Sequence, residues 1–180
     1  MTVENNPPEC GVWDREGGCL IPLVLLDTLP AYHRKTIPPD YLDIMGHMNI
    51  RWYFDLFAKS GRNFFASHGL DEDYFQGGDF GVFTLKQFIQ YFAEVRVGQT
   101  VVIHTRLTGR SNKRFHFVQF MINETTNQLA STFEALITHV DLKIRRAAPM
   151  PARIAQNFDA TLARDAALDW VAPICGAMSL

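Results

Sequence analysis

Residues 49–68 of this chain, NIRWYFDLFAKSGRNFFASH, decide its fold. Their apolar side chains occupy most of a helical wheel, and the polar ones recur at intervals of three and four residues in one narrow stripe, Arg51, Asp55, Lys59 and Arg62. A helix that is apolar on nearly every side is enclosed by other parts of the protein. Gly69 is a typical helix stop signal. The segment therefore predicts a long central helix.

The sequence after this helix has the alternation of β-strands. From Gly81 to Val97 apolar and polar residues alternate over about fifteen positions, longer than an average strand of roughly five or six residues. Three more strand-like runs follow at 100–108, 114–122 and 129–140, separated by short polar or glycine-containing loops. Short connections predict antiparallel hairpins, and hence an α+β domain whose antiparallel sheet wraps the helix. The long strand is expected to expose an edge, which pairing with a second copy would cover.

The two ends of the chain are expected to lie outside this domain. Residues 1–30 are read as an N-terminal arm, extended or poorly ordered over 1–18 and with a candidate strand at 20–26. A second candidate strand, at 31–37, begins the domain. The domain itself is assigned to 31–146. Residues 147–180 are a C-terminal extension in which 147–151 is a linker and 159–170 a short peripheral helix.

Composition limits the classes of partner and compartment. The formal net charge of −2 in 180 residues argues against a broad nucleic-acid surface. The one apolar run near the N-terminus is too short to span a bilayer, so no membrane partner is expected. Three cysteines without metal spacing or an even count are typical of reduced thiols, which predicts a cytoplasmic protein.

The loop before the predicted helix, residues 40–49 (DYLDIMGHMN), carries the candidate chemistry. The N-terminus of a helix offers unpaired N–H groups and a partial positive charge, which can polarise a carbonyl oxygen. A carboxylate just upstream can attack the carbonyl carbon or activate a water. Thioesters suit such a site because the thiolate leaves readily. On the residues alone the geometry is not diagnostic, since an Asp before a helix is more often a cap.

The motif Asp43-x-x-Gly46-His47-x-Asn49, running into an aromatic helix, resembles the acyl-CoA thioesterases of the 4-hydroxybenzoyl-CoA thioesterase type. The resemblance covers residues 31–146. It continues through Phe83-Thr84-Leu85, Tyr91-x-x-Glu94-Val95-x-x-Gly98, the 112–116 hairpin (NKRFH) and His139-Val140-Asp141-x-x-x-Arg145-Arg146. The string is most similar to the subgroup that includes betainyl-CoA thioesterases.

The resemblance implies a hot-dog fold, a homodimer or a dimer of dimers, and hydrolysis of an acyl-CoA without a separate cofactor. It places Asp43 as the essential carboxylate, either nucleophile or general base. The backbone N–H groups near Asn49 and Ile50 fall where the family polarises the thioester carbonyl. Ile50 departs from the second Asn of many members, which matters little because that contact is made by the backbone.

The remaining candidates each have a structural interpretation as well. Asp40 is the rival carboxylate, though it is read as a solvated loop residue, and His47 is read either as a general base or as a loop-holding ring. The other predicted substrate contacts are equally compatible with turn, core or surface roles: Gly46, Trp52, Tyr53, Tyr91, Glu94, Lys113, Arg114, Arg145 and Arg146. Trp52 and Tyr53 are considered as an aromatic wall for a cationic acyl group. The histidines lack metal-ligand spacing, so no metal is predicted.

Two other functions stay open. A hot-dog dehydratase or hydratase relies on a differently placed His with an acidic partner, and its motif is not visible here. A non-catalytic acyl-CoA-binding module would keep the fold without turnover.

Overall fold

The computed structural model describes residues 10–13 and 19–180. Its strands are β1 Cys10–Trp13, β2 Cys19–Pro22, β3 Ala31–Thr36, β4 Phe80–Tyr91, β5 Thr100–Arg110, β6 Arg114–Asn123, β7 Gln128–Asp141 and β8 Arg146–Ala147. Its helices are α1 Leu23–Leu26, α2 Ile50–Ser67, α3 Glu72–Gln76 and α4 Ala152–Ala166, with a 3-10 turn at Pro39–Tyr41. The arm predicted over 1–18 lies outside the described residues except for β1, which pairs with β2.

The main sheet is antiparallel with the strand order β3-β5-β6-β7-β4, and β8 pairs with β7. The predicted succession of hairpins is correct for β5 to β7 and wrong for β4, which pairs with β7 at the far edge. Residues 92–99 carry the chain from one edge of the sheet to the other. They pass beneath the start of α2, where Met48 N–H donates to Val95 O at 2.7 Å and Gly98 N–H to Ile37 O at 2.9 Å.

Helix α2 lies across the concave face of this sheet, as its sequence predicts. Its inward face, with Leu56, Phe57 and Phe64 fully buried, packs on inward side chains of β5, β6 and β7. The opposite face is less enclosed than predicted, since Phe54 is 48% exposed. One chain's sheet covers only one side of the helix, so the apolar residues on the other side remain accessible.

Strand β4 is shorter and less regular than the alternation predicts, because it ends at Tyr91 and not at Val97. A β-bulge falls at Leu85, between Thr84, which pairs with Ile137, and Lys86, which pairs with Leu136. An extra residue reverses which positions face inward. Thr84 and Gln87 consequently both face α2 across a small cavity.

Segments near both ends of the described chain, 21–29 and 168–172, pack on the outer face of the sheet. Ile21, Leu26 and Trp170 join outward side chains of the sheet in a second apolar cluster. The Arg106 guanidinium stacks 4.0 Å from the Trp170 ring centroid and donates to Trp170 O at 2.7 Å. The predicted strand at 20–26 is wrong after Pro22, where α1 begins.

The predicted helix at 159–170 also has the wrong bounds. Helix α4 begins seven residues earlier, directly after Pro151, and ends at Ala166. Ile154 and Phe158, one turn apart, bury this earlier part against the main core. A long helix on a curled antiparallel sheet is the hot-dog fold that the resemblance implied. Within the described part of the chain, no helix has the length and hydropathy needed to cross a bilayer.

Candidate functional site

The loop 42–48 is a tight, closed turn in front of α2. Leu42 and Met48 form an isolated antiparallel bridge, and Asp43 N–H donates to His47 O at 3.0 Å. Gly46 closes the turn with a φ of 83° and donates to Asp43 O at 3.2 Å. That backbone conformation is left-handed, which favours glycine. A side chain at Gly46 would meet no atom within 4 Å, so the requirement is conformational.

This turn fixes the carboxylate of Asp43. Its Oδ1 accepts a hydrogen bond from Met45 N–H at 2.8 Å, and its Oδ2 lies 3.3 Å from His47 Nδ1. The Asp43 side chain is 16% exposed and that of His47 is 27% exposed. Asp43 therefore faces a protein neighbour and not bulk solvent. Asp40, the rival carboxylate, is exposed in the 3-10 turn.

The start of α2 presents one available amide. Asn49 N–H donates to Tyr41 O at 2.9 Å, while the Asn49 side chain accepts from Arg51 N–H at 3.1 Å and caps the helix. Among the described residues, Ile50 N–H has no acceptor. The resemblance pointed to the backbone N–H groups of Asn49 and Ile50. Of these two, only the N–H of Ile50 is free to bind a carbonyl oxygen.

A groove of about 290 Å³ lies beside this amide. It is lined by His47, Met48, Ile50, Tyr53, Tyr91, Phe92, Ala93 and Glu94. The structure therefore brings together five of the predicted site residues from two separate segments. Asp43 does not line the groove itself but contacts it through His47. Glu94 was expected on the long strand, yet it lies beyond the end of β4, in the crossing segment.

The two aromatic residues predicted as a wall have different positions. Tyr53 is buried in the groove wall, where its ring is 5.1 Å from that of Tyr91 at 89°. Burial is the main reason that the pKa of Tyr53 is raised to about 12. Trp52 lies outside the groove, stacked on Tyr41 with ring centroids 3.8 Å apart and with Arg51 over its ring.

The four basic residues among the predicted substrate contacts lie at the other end of the sheet. Arg114 pairs with Thr138, Arg146 pairs with Asp141, and the Arg145 guanidinium lies 5.3 Å from the Phe83 ring centroid. Lys113 precedes Arg114 in the adjoining loop. Phe83 and Tyr91 are eight residues apart on β4, which corresponds to roughly 25 Å. A single chain does not bring this basic cluster to the groove.

Sequence reasoning missed Phe92, Met48 and Ala93 as lining residues. Phe92 was read as part of a continuous strand, and no signal in the sequence distinguished it from its neighbours.

The sequence predicts no metal site. No cluster of three or more potential metal ligands occurs among residues 10–13 and 19–180, and a metal-free site remains a prediction.

Curated relatives support the reading of the sequence. The chain is 29% identical over 127 residues to an L-carnitine dehydrogenase/betainyl-CoA thioesterase of Agrobacterium fabrum, covering 71% of this chain and 26% of that protein. The chain thus spans about a quarter of that relative's length. It is 26% identical over 128 residues to a betainyl-CoA thioesterase of Pseudomonas aeruginosa, covering 71% of this chain and 80% of that one.

Solved structures share the fold. A Staphylococcus aureus protein solved in complex with CoA has a TM-score of 0.75 at 20% identity, covering 84% of this chain and 96% of that chain. A 1,4-dihydroxy-2-naphthoyl-CoA thioesterase from Synechocystis has a TM-score of 0.64 at 17% identity, covering 74% and 96%. The family model of the thioesterase-like superfamily matches residues 37–158, more than half of the sequence. This chain therefore belongs to the thioesterase-like superfamily.

Proposed function

We propose that this protein is an acyl-CoA thioesterase, which hydrolyses an acyl-CoA to a carboxylic acid and coenzyme A. The observation that carries the proposal is the free Ile50 N–H in a groove whose wall includes His47, whose Nδ1 lies 3.3 Å from Oδ2 of Asp43. An unused helix N-terminal amide, with a carboxylate one residue removed from the groove through His47, supplies the two things that the reaction needs. These are an attacking group or its activator, and a donor for the developing oxyanion.

The proposed chemistry takes place in two steps. The Asp43 carboxylate either attacks the thioester carbonyl carbon or takes a proton from a water that attacks it. Negative charge then develops on the carbonyl oxygen and is stabilised by Ile50 N–H and the positive end of α2. Collapse of this intermediate breaks the carbon–sulfur bond and releases CoA as its thiolate. In the general-base route this leaves the carboxylic acid, and Asp43 passes the proton it took from water to the sulfur. In the nucleophilic route it leaves an acyl anhydride on Asp43, which a water then hydrolyses to the acid and the free Asp43 carboxylate. Because His47 stands between Asp43 and the groove, the general-base route fits the arrangement better.

A homodimer completes the site in this proposal. Strand β4 is one of the two edge strands of the described sheet, β3 being the other, and two-fold pairing of β4 with a second β4 would be antiparallel. Antiparallel pairing sets the Tyr91 end of one strand beside the Phe80 end of the other. The basic cluster of one copy (Lys113, Arg114, Arg145 and Arg146) would then approach the groove of the other copy. Guanidinium and ammonium groups are suited to CoA phosphates.

Two further aspects are proposed. The betainyl-CoA thioesterases among the relatives make betainyl-CoA a candidate substrate for this chain. A cytoplasmic location is also proposed, because reduced thiols are typical of that compartment. An odd number of cysteines leaves at least one unpaired, and Cys175 is a free thiol.

The competing dehydratase function would use a His with an acidic partner. His116 Nε2 does lie 2.7 Å from Glu134 Oε1, but on the outer face of the sheet. There the other Glu134 oxygen accepts from Cys175 N–H at 2.7 Å, so the C-terminal tail covers the pair. A covered pair on the far side of the sheet offers no substrate site.

Thiol release from a panel of acyl-CoA thioesters tests the proposal. We expect the Asp43→Asn variant to lose about 100-fold or more in kcat, because it keeps the size of the side chain without its charge. A matched control is Asp73→Asn, an exposed carboxylate in α3 that should leave the rate unchanged. Tight acyl-CoA binding without turnover by the wild type would instead support a non-catalytic binding module.

A further inference from the structure

The wall of the groove has a composition suited to a cation. Three aromatic side chains, Tyr53, Tyr91 and Phe92, line it together with the carboxylate of Glu94. The perpendicular packing of Tyr53 and Tyr91 sets two ring planes at right angles. Aromatic ring faces and a carboxylate are the groups that bind quaternary ammonium ligands, which lack N–H groups and cannot donate conventional hydrogen bonds.

Glu94 places a carboxylate in the wall of this groove. The pKa of Tyr53 is raised first by burial and further by Tyr91 and by the charge of Glu94. The electrostatic influence of Glu94 therefore reaches the aromatic wall, although its side chain is 60% exposed. A positive group placed in the groove would be stabilised by the same field.

The cation paired with Glu94 is weakly held. Arg96 Nη2 lies 3.2 Å from Glu94 Oε2, and the two side chains are 68% and 60% exposed. Exposed pairs of this kind contribute little to stability. A ligand cation held by the rings as well can therefore replace Arg96 as the partner of Glu94.

We propose that Tyr53, Tyr91, Phe92 and Glu94 form the acyl subsite and select a short acyl group that ends in a quaternary ammonium. The assignment rests on the proposed thioesterase function and adds the residues that choose the substrate. Ile50, whose free amide would hold the carbonyl oxygen, lies one helical turn before Tyr53 in the same groove. An acyl group of only a few atoms is thus long enough to reach from the thioester carbonyl at Ile50 to the aromatic rings of the groove.

A second cavity, of about 150 Å³, offers the contrasting environment. It lies between α2 and the sheet, and its lining has no charged side chain but five phenylalanines: Phe54, Phe57, Phe65, Phe117 and Phe133. That cavity suits a neutral acyl group. The groove and the cavity therefore predict opposite substrate preferences when only the charge of the acyl group is changed.

The test compares betainyl-CoA with 3,3-dimethylbutyryl-CoA, in which a quaternary carbon replaces the quaternary nitrogen. We expect wild-type kcat/KM to favour betainyl-CoA. In Glu94→Gln the ratio of the two kcat/KM values should fall about tenfold, the size of a lost cation contact. Tyr91→Leu should lower the ratio as well, whereas Tyr91→Phe keeps the ring and should preserve it.

A matched control separates charge at the groove from charge in general. Glu124, like Glu94, is an exposed carboxylate paired with an arginine, Arg34, at 2.8 Å, but it lies outside the groove. Glu124→Gln should leave the ratio unchanged. An equal loss for both substrates in Glu94→Gln, or a wild-type preference for the neutral thioester, would overturn the assignment while leaving the thioesterase function intact.

Binding keeps the two proposals distinguishable. If the wild type hydrolyses no thioester of the panel, the proposed function is wrong, and calorimetry then tests the subsite on its own. Tighter binding of betainyl-CoA than of its neutral analogue, lost in Glu94→Gln, would support the subsite without turnover. Equal affinities would contradict it.

Discussion

Asn49 and Ile50 are neighbours in the chain, yet their amides have different uses. The Asn49 N–H donates a hydrogen bond to Tyr41 O, and the Asn49 side chain accepts one from Arg51 N–H. Most donors at the start of a helix are satisfied by such caps or by water. The unused N–H of Ile50, in a groove that Asp43 reaches through His47, is what makes this helix start a candidate oxyanion site and not only a capped terminus.

Gly46 provides a prediction at the same scale. A Cβ atom at this position would contact no neighbouring atom. The φ of 83°, however, is a strained backbone conformation for any residue that has a side chain. Gly46→Ala should therefore lower the free energy of unfolding by about 1 kcal/mol, whereas Gly46→Asn should cost less because Asn tolerates this region better. Urea unfolding of the two variants measures the difference. Equal losses would indicate a contact of the glycine that its backbone angle does not explain.

At the scale of elements, α2 and α4 are joined through the buried His68. Its Nδ1 lies 2.7 Å from Phe64 O, its Nε2 2.8 Å from Thr161 Oγ1, and its ring stacks 4.2 Å from that of Phe158. Burial is the largest cause that lowers the pKa of His68. The neutral ring is therefore the form that the packed helices accommodate.

This packing predicts a pH dependence of stability. The unfolded chain protonates residue 68 near its ordinary pKa of about 6.5, while the folded protein resists protonation, so the unfolded state binds more protons in this range. The free energy of unfolding should accordingly fall as the pH drops below about 6.5. In His68→Gln the decrease between pH 7.5 and 5.5 should be smaller, as measured by urea titration. A parallel decrease in both proteins would assign the effect to other groups.

The elements also mark what the sequence could and could not predict. The α2 helix follows from its apolar periodicity, and the strands β5 to β7 follow from strand-like runs joined by short loops, although these strands are buried on both faces. The place of β4 was not predictable in this way, since the segment 92–99 looks like strand but crosses the sheet beneath α2. The bulge at Leu85 and the helix start after Pro151 depend on tertiary packing that alternation and composition do not encode.

The candidate site was predictable in part for the same reason. The turn with Asp43, Gly46 and His47 is local, so its motif identified it. The groove is assembled from two segments about forty residues apart, and only the resemblance pointed to Tyr91 and Glu94. Phe92 and the free state of the Ile50 amide depend on contacts between segments, which a single sequence does not display.

At the scale of the whole molecule, the edge of β4 is an apolar surface. Leu85 and Phe88 are 46% and 42% exposed there, and Phe54 on α2 is similarly accessible. Free sheet edges with apolar side chains invite pairing with another chain. The outer face of the sheet, by contrast, is covered by the chain's own ends. These surfaces favour a β4-paired dimer over assembly through the outer face.

Light scattering after size-exclusion chromatography tests this arrangement. We expect a mass of about twice the 20.5 kDa of the chain. The double variant Leu85→Lys and Phe88→Lys should elute as a monomer, because lysines on an edge strand oppose pairing. Val24→Lys, at a 68% exposed position of α1 on the outer side of the sheet, is the control. A wild-type monomer, or a double variant that remains dimeric, would exclude the β4 interface.

The central claim, that the thioester carbonyl is held by the Ile50 amide, can be tested by removing that single N–H. Ile50 is the first residue of α2, where proline is well tolerated, and Asn49 before it already has the extended φ and ψ of −62° and 142° that a following proline requires. Ile50→Pro therefore deletes the donor while preserving the helix, and Ile50→Ala truncates the side chain while keeping the donor. Thiol release from an acyl-CoA should fall about 100-fold in Ile50→Pro and stay near the wild-type rate in Ile50→Ala, with unchanged helicity in both. A folded Ile50→Pro variant as active as the wild type would contradict the account.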